Sequence, residues 1–271
     1  MSFRDRWVLV TGASSGLGRA MATILAREHG ANIVAVARRA NLLEELRREI
    51  ESSAKVRVET IVADMASSDD VERVLRQVTH ERRIHAAVLN AGVTHFGNYH
   101  ELSWEDFETM LKVNVTSTVR LATGLLPYLE QTGEGGGVML VASMAGITPV
   151  PYQAAYSGTK AFLVHFGRAL CCELEGKNVS VTTYAPGGIV TEMTAGPSFG
   201  PLRKWLMPVD AAAREGLEAF RTRKHLHVPG RTNRIGAALL NLLPQRLVTS
   251  RLGAVYRRAL DQTRKPLIGE E

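Results

Sequence analysis

Residues 7–20 read WVLVTGASSGLGRA, a short apolar run that meets a glycine-rich turn and passes directly into a helix-periodic stretch. The run is too short for a surface helix and lacks polar alternation, so it reads as a strand buried on both faces. The same grammar repeats outward from it. Apolar runs at 33–36, 56–62, 86–89, 138–142 and 179–184 read as further buried strands, and the segments 20–29, 42–50, 71–78 and 154–174 carry apolar residues at helical spacing. Strand, helix, strand in alternation predicts a doubly wound α/β sheet with helices on both faces. Such sheets bind ligands beyond the carboxyl ends of their strands, which directs attention to the residues that follow each run.

The 271 residues, 45% hydrophobic, suffice for a sizeable core in one domain. Cys171 and Cys172 are the only cysteines and are adjacent, where ordinary disulfide geometry is not available. A first strand beginning at Trp7 leaves no room for a signal peptide, so a reducing, cytoplasmic setting is expected. No apolar stretch approaches the roughly 18 residues of a membrane-spanning helix. The net charge of +6 is concentrated near the end, where residues 221–265 hold 11 Lys and Arg against Asp261 alone. No helix-turn-helix, zinc spacing or aromatic RNA-binding pattern accompanies that charge, so neither a nucleic-acid partner nor a metal site is expected.

After the first strand, Gly12, Ser14, Ser15, Gly16, Leu17 and Gly18 form a turn that leads into a helix. Glycines let a backbone approach a pyrophosphate closely, and the helix N-terminus supplies free N–H groups and partial positive charge. A strand-to-helix turn that binds nothing is the competing reading of those glycines taken alone. The end of the second strand normally chooses between dinucleotides, because an acid there bonds the ribose 2′-hydroxyl of NAD. Here Ala37 is followed by Arg38 and Arg39, which would meet a 2′-phosphate with guanidinium groups, and NADP(H) is the cofactor this predicts. Asp64 and Met65 close the third strand and Asn90, Ala91 and Gly92 the fourth, at the edge expected to hold adenine and its ribose.

Ser143 ends the fifth strand, and Tyr156 and Lys160 lie four residues apart near the start of a long helix, on one face of it. A phenol of reference pKa about 10 is a poor base at neutral pH, and lowering it by roughly 3 units requires about 4 kcal/mol. An ammonium near 4 Å supplies about that much at an effective dielectric of about 20. Lys160 can thus activate Tyr156 as acid or base, while Ser143 bonds the substrate oxygen. An ordinary amphipathic helix explains the same Tyr and Lys if nothing else accompanies them.

Together these motifs resemble the short-chain dehydrogenases/reductases. Thr11 to Gly18 resembles the family's T-G-x-x-x-G-x-G turn, Asn90-Ala91-Gly92 its N-A-G segment, and Ser143, Tyr156 and Lys160 its catalytic serine and Y-x-x-x-K pair. Asn114 matches its catalytic asparagine, and Pro186, Gly187 and Thr191 its P-G-x-x-x-T stretch. The resemblance implies a Rossmann-type, mostly parallel seven-stranded sheet. It implies that Asn114 holds a water linking Lys160 to solvent, that Lys160 binds the nicotinamide ribose, and that Ile189 and Thr191 contact the carboxamide. It also implies a homodimer or homotetramer built on the helices at 114–130 and 156–175. Two positions depart from the family pattern: Leu89 replaces the first asparagine of N-N-A-G, and Met65 follows Asp64 where a small branched residue is commoner. A non-catalytic NADP(H)-binding regulatory or redox-sensing protein is the alternative, and its signature would be a damaged catalytic set.

Residues 1–230 are expected to form the catalytic domain, with a substrate lid at about 188–225. Met144, Ile147, Val150, Pro151 and Tyr152, with Met193, Phe199, Leu202, Trp205, Leu206 and Met207, should line an apolar pocket for a steroid, terpenoid or fatty-acyl ketone or alcohol beside Ser143 and Tyr156. Residues 231–271 interleave leucines with arginines and are expected to form two short helices broken at Pro244. Packing on the domain or on a sister subunit is the favoured role for this extension, and a weak interfacial contact with anionic lipid is the other.

Overall fold

The computed structural model describes residues 1–81, 83–196, 200, 203 and 205–264. Seven strands form one parallel sheet: β1 Trp7–Thr11, β2 Asn32–Ala37, β3 Val58–Val62, β4 Ile84–Leu89, β5 Gly137–Val141, β6 Ser180–Tyr184 and β7 Leu226–His227, in the order β3-β2-β1-β4-β5-β6-β7. The order reverses between β1 and β4, which opens a crevice at their carboxyl ends. The helices are α1 Gly16–His29, α2 Ala40–Ser53, α3 Ser68–Arg76, α4 Trp104–Leu111, α5 Ser117–Thr132, α6 Ala154–Glu173, α7 Val209–Arg221, α8 Arg231–Leu242 and α9 Gln245–Arg264.

The central strands β1, β2, β4 and β5 are mostly apolar because both their faces are covered. Val8 and Val10 of β1 join a core with α1, α2 and α7, while Leu9 joins the opposite core with α3 and α5. β2 divides in the same way, Ile33 and Ala35 on the first face and Val34 and Val36 on the second. This period-two alternation fixes the register of each strand, since a slip of one residue would exchange the two faces.

All six anticipated strands are present, together with the two-residue β7, which is too short to leave a periodic signal. Residues 71–78 take in α3 from Val71 to Arg76 and the first two residues of a π-helical segment, Gln77–Glu81. A second π turn, Lys112–Thr116, joins α4 to α5. The anticipated break at Pro244 separates α8 from α9. Among the described residues, no helix is long and apolar enough to cross a membrane.

Candidate active site

One cavity of about 600 Å³ opens at the carboxyl ends of the strands. It takes in every anticipated site residue except Gly18 and Asn114, which lie immediately behind its wall.

At the dinucleotide end the chain is folded too tightly for side chains. Gly12 has φ +68°, and a Cβ built on it would lie 2.9 Å from Asn90 Nδ2. A Cβ on Gly18 would lie 2.3 Å from the Gly12 carbonyl oxygen. Asn90 Nδ2 donates to the Thr11 carbonyl at 3.1 Å, and Thr11 Oγ1 accepts from the Asn90 and Ala91 amides at 3.0 Å each. The N-A-G segment thus fastens the end of β4 to the end of β1. Leu89, where the family pattern has asparagine, is buried in the core and leaves this fastening intact. The result is a bare backbone rim at the N-terminus of α1, which fits a pyrophosphate.

Arg39 reaches across from β2 to this rim. Its Nε and Nη2 donate to Ser14 Oγ at 3.2 and 3.1 Å, Nη2 also donates to Ser15 Oγ at 2.6 Å, and Nη1 pairs with Glu192 at 3.1 Å. Arg38 is exposed at the mouth and makes no ion pair among the described residues. Two guanidinium groups and no acid at Ala37 fit a 2′-phosphate. Glu192, which the sequence reading passed over, holds one of them from the far side of the cleft. Asp64 Oδ1 accepts from the Ala66 amide at 2.9 Å and shapes the turn after β3, with Met65 buried beneath.

At the chemical end, Ser143 caps the 3₁₀ turn Met144–Gly146: its hydroxyl accepts from the Ala145 amide at 3.1 Å and lies 3.4 Å from the Pro186 carbonyl. A Cβ on Gly146 would lie 2.4 Å from the Lys160 backbone carbonyl, so this turn rests directly on α6. That contact sets Ser143 against Tyr156 and Lys160. The Lys160 ammonium is buried, donates to the Val141 carbonyl at 2.8 Å and stands 5.7 Å from the Tyr156 ring centroid.

This geometry differs from the expected activation of the phenol. Burial pushes the Tyr156 pKa up, and a hydrogen bond with Ser143 only partly opposes it. Burial also pulls Lys160 down from its usual 10.5 to about 8. Desolvation penalises whichever form is charged, so it raises the phenol and lowers the ammonium and leaves both groups favouring their neutral forms. Tyr156 therefore stands as a protonated acid at neutral pH.

Asn114 is fully buried in the π turn. Its Nδ2 donates to the Val93 carbonyl at 2.9 Å and to Thr159 Oγ1 at 3.0 Å, and its Oδ1 accepts from the Val93 amide at 2.8 Å. A Cβ on Gly92 would lie 3.4 Å from Asn114 Oδ1 and 3.5 Å from Lys160 Nζ, so Gly92 keeps the ground between them clear. Pro186, Gly187, Ile189 and Thr191 line the cavity beyond β6, and Ile189 is held by a bridge to Met207.

Of the anticipated pocket residues, Met144, Val150, Met193, Trp205 and Leu206 line the cavity. Ile147, Pro151, Tyr152 and Met207 stand outside its wall, and Phe199 and Leu202 lie outside the described residues. Asn233, Leu240, Leu252 and Tyr256 complete it from α8 and α9. No local spacing marks these four, because their meeting with the cavity depends on how the last helices fold back.

The short chain dehydrogenase family model matches residues 6–198, and the chain belongs to the short-chain dehydrogenase/reductase family. The chain is 36% identical over 189 residues to sulfoacetaldehyde reductase 2 of Chromohalobacter salexigens, covering 69% of this chain and 74% of that protein. It is 31% identical over 205 residues to the human inactive hydroxysteroid dehydrogenase-like protein 1, covering 75% of this chain and 62% of the relative. A short-chain dehydrogenase of Sphingobium yanoikuyae, solved in complex with NADPH, superposes with TM-score 0.80 at 26% identity over 98% of this chain and 99% of that one.

Proposed function

We propose that this chain is an NADP(H)-dependent oxidoreductase that interconverts a carbonyl and a secondary alcohol on a largely apolar substrate of steroid, terpenoid or fatty-acyl type. The observation that carries the reading is the convergence on one cavity of the bare glycine rim, Arg38 and Arg39, and the Ser143, Tyr156 and Lys160 set. The NADPH complex of the Sphingobium protein supports the choice of dinucleotide.

The glycine rim would hold the pyrophosphate, Arg38 and Arg39 the 2′-phosphate, and Lys160, Ile189 and Thr191 the nicotinamide end. When bound, NADPH supplies the hydride. Tyr156 gives its phenolic proton to the carbonyl oxygen, and Ser143 donates a hydrogen bond to the same oxygen. The Lys160 cation offsets the charge left on Tyr156. Asn114 acts from behind by fixing Val93 and Thr159, the residue next to Lys160. Met144, Val150, Trp205, Leu206 and Leu240 give the substrate end its apolar character.

The presence of Asn114, Ser143, Tyr156 and Lys160 together supports this reading over a sensor that binds the dinucleotide without turnover. A panel of ketones and alcohols followed at the nicotinamide absorbance, with NADPH and NADH in parallel, tests it. Turnover of apolar ketones with preference for NADPH is expected. Turnover confined to small polar sugars or polyols, or none at all, would contradict it.

We take residues 1–230 as the catalytic domain and 231–271 as the extension that completes its cavity. The free thiols of Cys171 and Cys172 fit a reducing cytoplasm. The α5 and α6 helices are the expected homodimer or homotetramer face, and Phe162 stacked on Phe166 stands 46% exposed there. On α8 and α9 and the link between them, Ile235, Leu239, Leu242, Leu243 and Leu247 project into solvent in an arginine-rich stretch, which supports a peripheral contact with anionic lipid.

A further inference from the structure

The family match ends at residue 198, yet α9 begins at Gln245 and returns to the mouth of the cavity. Three positions on one face of α9 make the contact. A Cβ on Gly253 would lie 3.4 Å from Pro151 Cγ, so the helix backbone rests on the loop that leads to Tyr156. The Tyr256 ring meets Phe96 edge-on, with centroids 5.5 Å apart and planes at 77°. Arg257 Nε donates to the Tyr152 hydroxyl at 2.8 Å.

Tyr152 has φ +66°, a conformation that costs free energy for a bulky side chain. It is held from both sides, by Arg257 at its hydroxyl and by the Gly97 amide, which donates to its carbonyl at 3.0 Å. The loops that follow β4 and β5 are thus tied to each other and to α9, four residues before Tyr156. Tyr256 and Leu252 face into the cavity from this anchored helix. Burial keeps the Tyr256 phenol neutral at physiological pH, so it presents an uncharged aromatic wall.

We infer that Tyr256 is a specificity-determining residue: carried by a helix clamped onto Pro151 and Tyr152, it closes the substrate end of the cavity and limits the size of the ketone that reaches Tyr156. This rests on the reductase reading above. A wall of this kind discriminates by bulk, and differences of even a few carbon atoms in an apolar pocket change kcat/KM by about 10-fold or more.

The test compares full-length wild type with Tyr256→Ala, Tyr256→Trp and Tyr256→Phe, with NADPH, on cyclohexanone and androstane-3,17-dione. The ratio of kcat/KM for the dione to that for cyclohexanone should rise at least about 10-fold in Tyr256→Ala, fall at least about 10-fold in Tyr256→Trp, and stay within about threefold in Tyr256→Phe. The NADPH dissociation constant should not move in any of them. Ratios unchanged in both Ala and Trp variants, or equal losses on both ketones, would overturn the inference. Calorimetric titration of the dione onto each NADPH complex separates this from failure of the reductase reading. If wild type binds the dione without reducing it, that reading fails, while at least about 10-fold weaker binding to Tyr256→Trp still supports the wall. Equal binding, or none to any variant, overturns it.

Discussion

Lys160 is where stability and chemistry pull against each other. Its pKa falls from 10.5 to about 8 on burial, so between those values the unfolded chain binds the proton more readily. Stability therefore rises as pH climbs from about 8 toward 10.5, and below 8 the fold carries the full cost of the buried charge, about 3 kcal/mol. Lys160→Met should stabilise the protein by up to about that amount at pH 7, read by urea denaturation, while removing nearly all turnover. In wild type, kcat/KM for reduction should fall as pH rises through about 8, when the cation beside Tyr156 is lost; a flat profile from 6 to 9 would argue against that role. At the other end of the cavity, Arg38→Ala and Arg39→Ala should weaken NADPH by about 10-fold or more and NADH little, since each removes a charge-assisted bond to the 2′-phosphate. Equal losses for both dinucleotides would refute that assignment. Glu192 competes for Arg39, and Glu192→Gln should tighten NADPH severalfold in the same titrations.

At the scale of elements, the turns decide the site more than the helices do. The glycine turn, the strand ends and the Ser143 to Lys160 spacing were legible because each lies within a short stretch of sequence. Other features arise from contacts between distant stretches and leave no local pattern. The π turn at Lys112–Thr116 is one: it buries Asn114 toward Val93 and Thr159, a contact that no local spacing announces. The 3₁₀ turn after Ser143 is another, since its glycine matters only because α6 lies against it. Gly146→Val should press on the Lys160 backbone, displace Ser143 and cut kcat by at least about 10-fold, with the folded fraction followed by circular dichroism. A fully active Gly146→Val enzyme would mean that the turn does not set the Ser143 position.

Across the whole molecule, a parallel sheet brings residues from Thr11 to Thr191 to one edge, and α8 and α9 return to finish what that edge leaves open. The break at Pro244 was legible in the sequence; the docking of α9 through Gly253, Tyr256 and Arg257 was not, because its partners lie about a hundred residues or more away. Lipid contact through the outward leucines predicts that wild type co-sediments with phosphatidylglycerol vesicles at low salt and that Leu242→Ser with Leu243→Ser does not. Equal sedimentation of the two proteins would place the contact elsewhere. Whether the Tyr156 phenol is the proton donor is decided by single-turnover oxidation of NADPH against an apolar ketone in Tyr156→Phe. The rate should fall at least about 10³-fold below wild type with NADPH affinity unchanged, and a rate within about 10-fold of wild type would show that another group donates the proton.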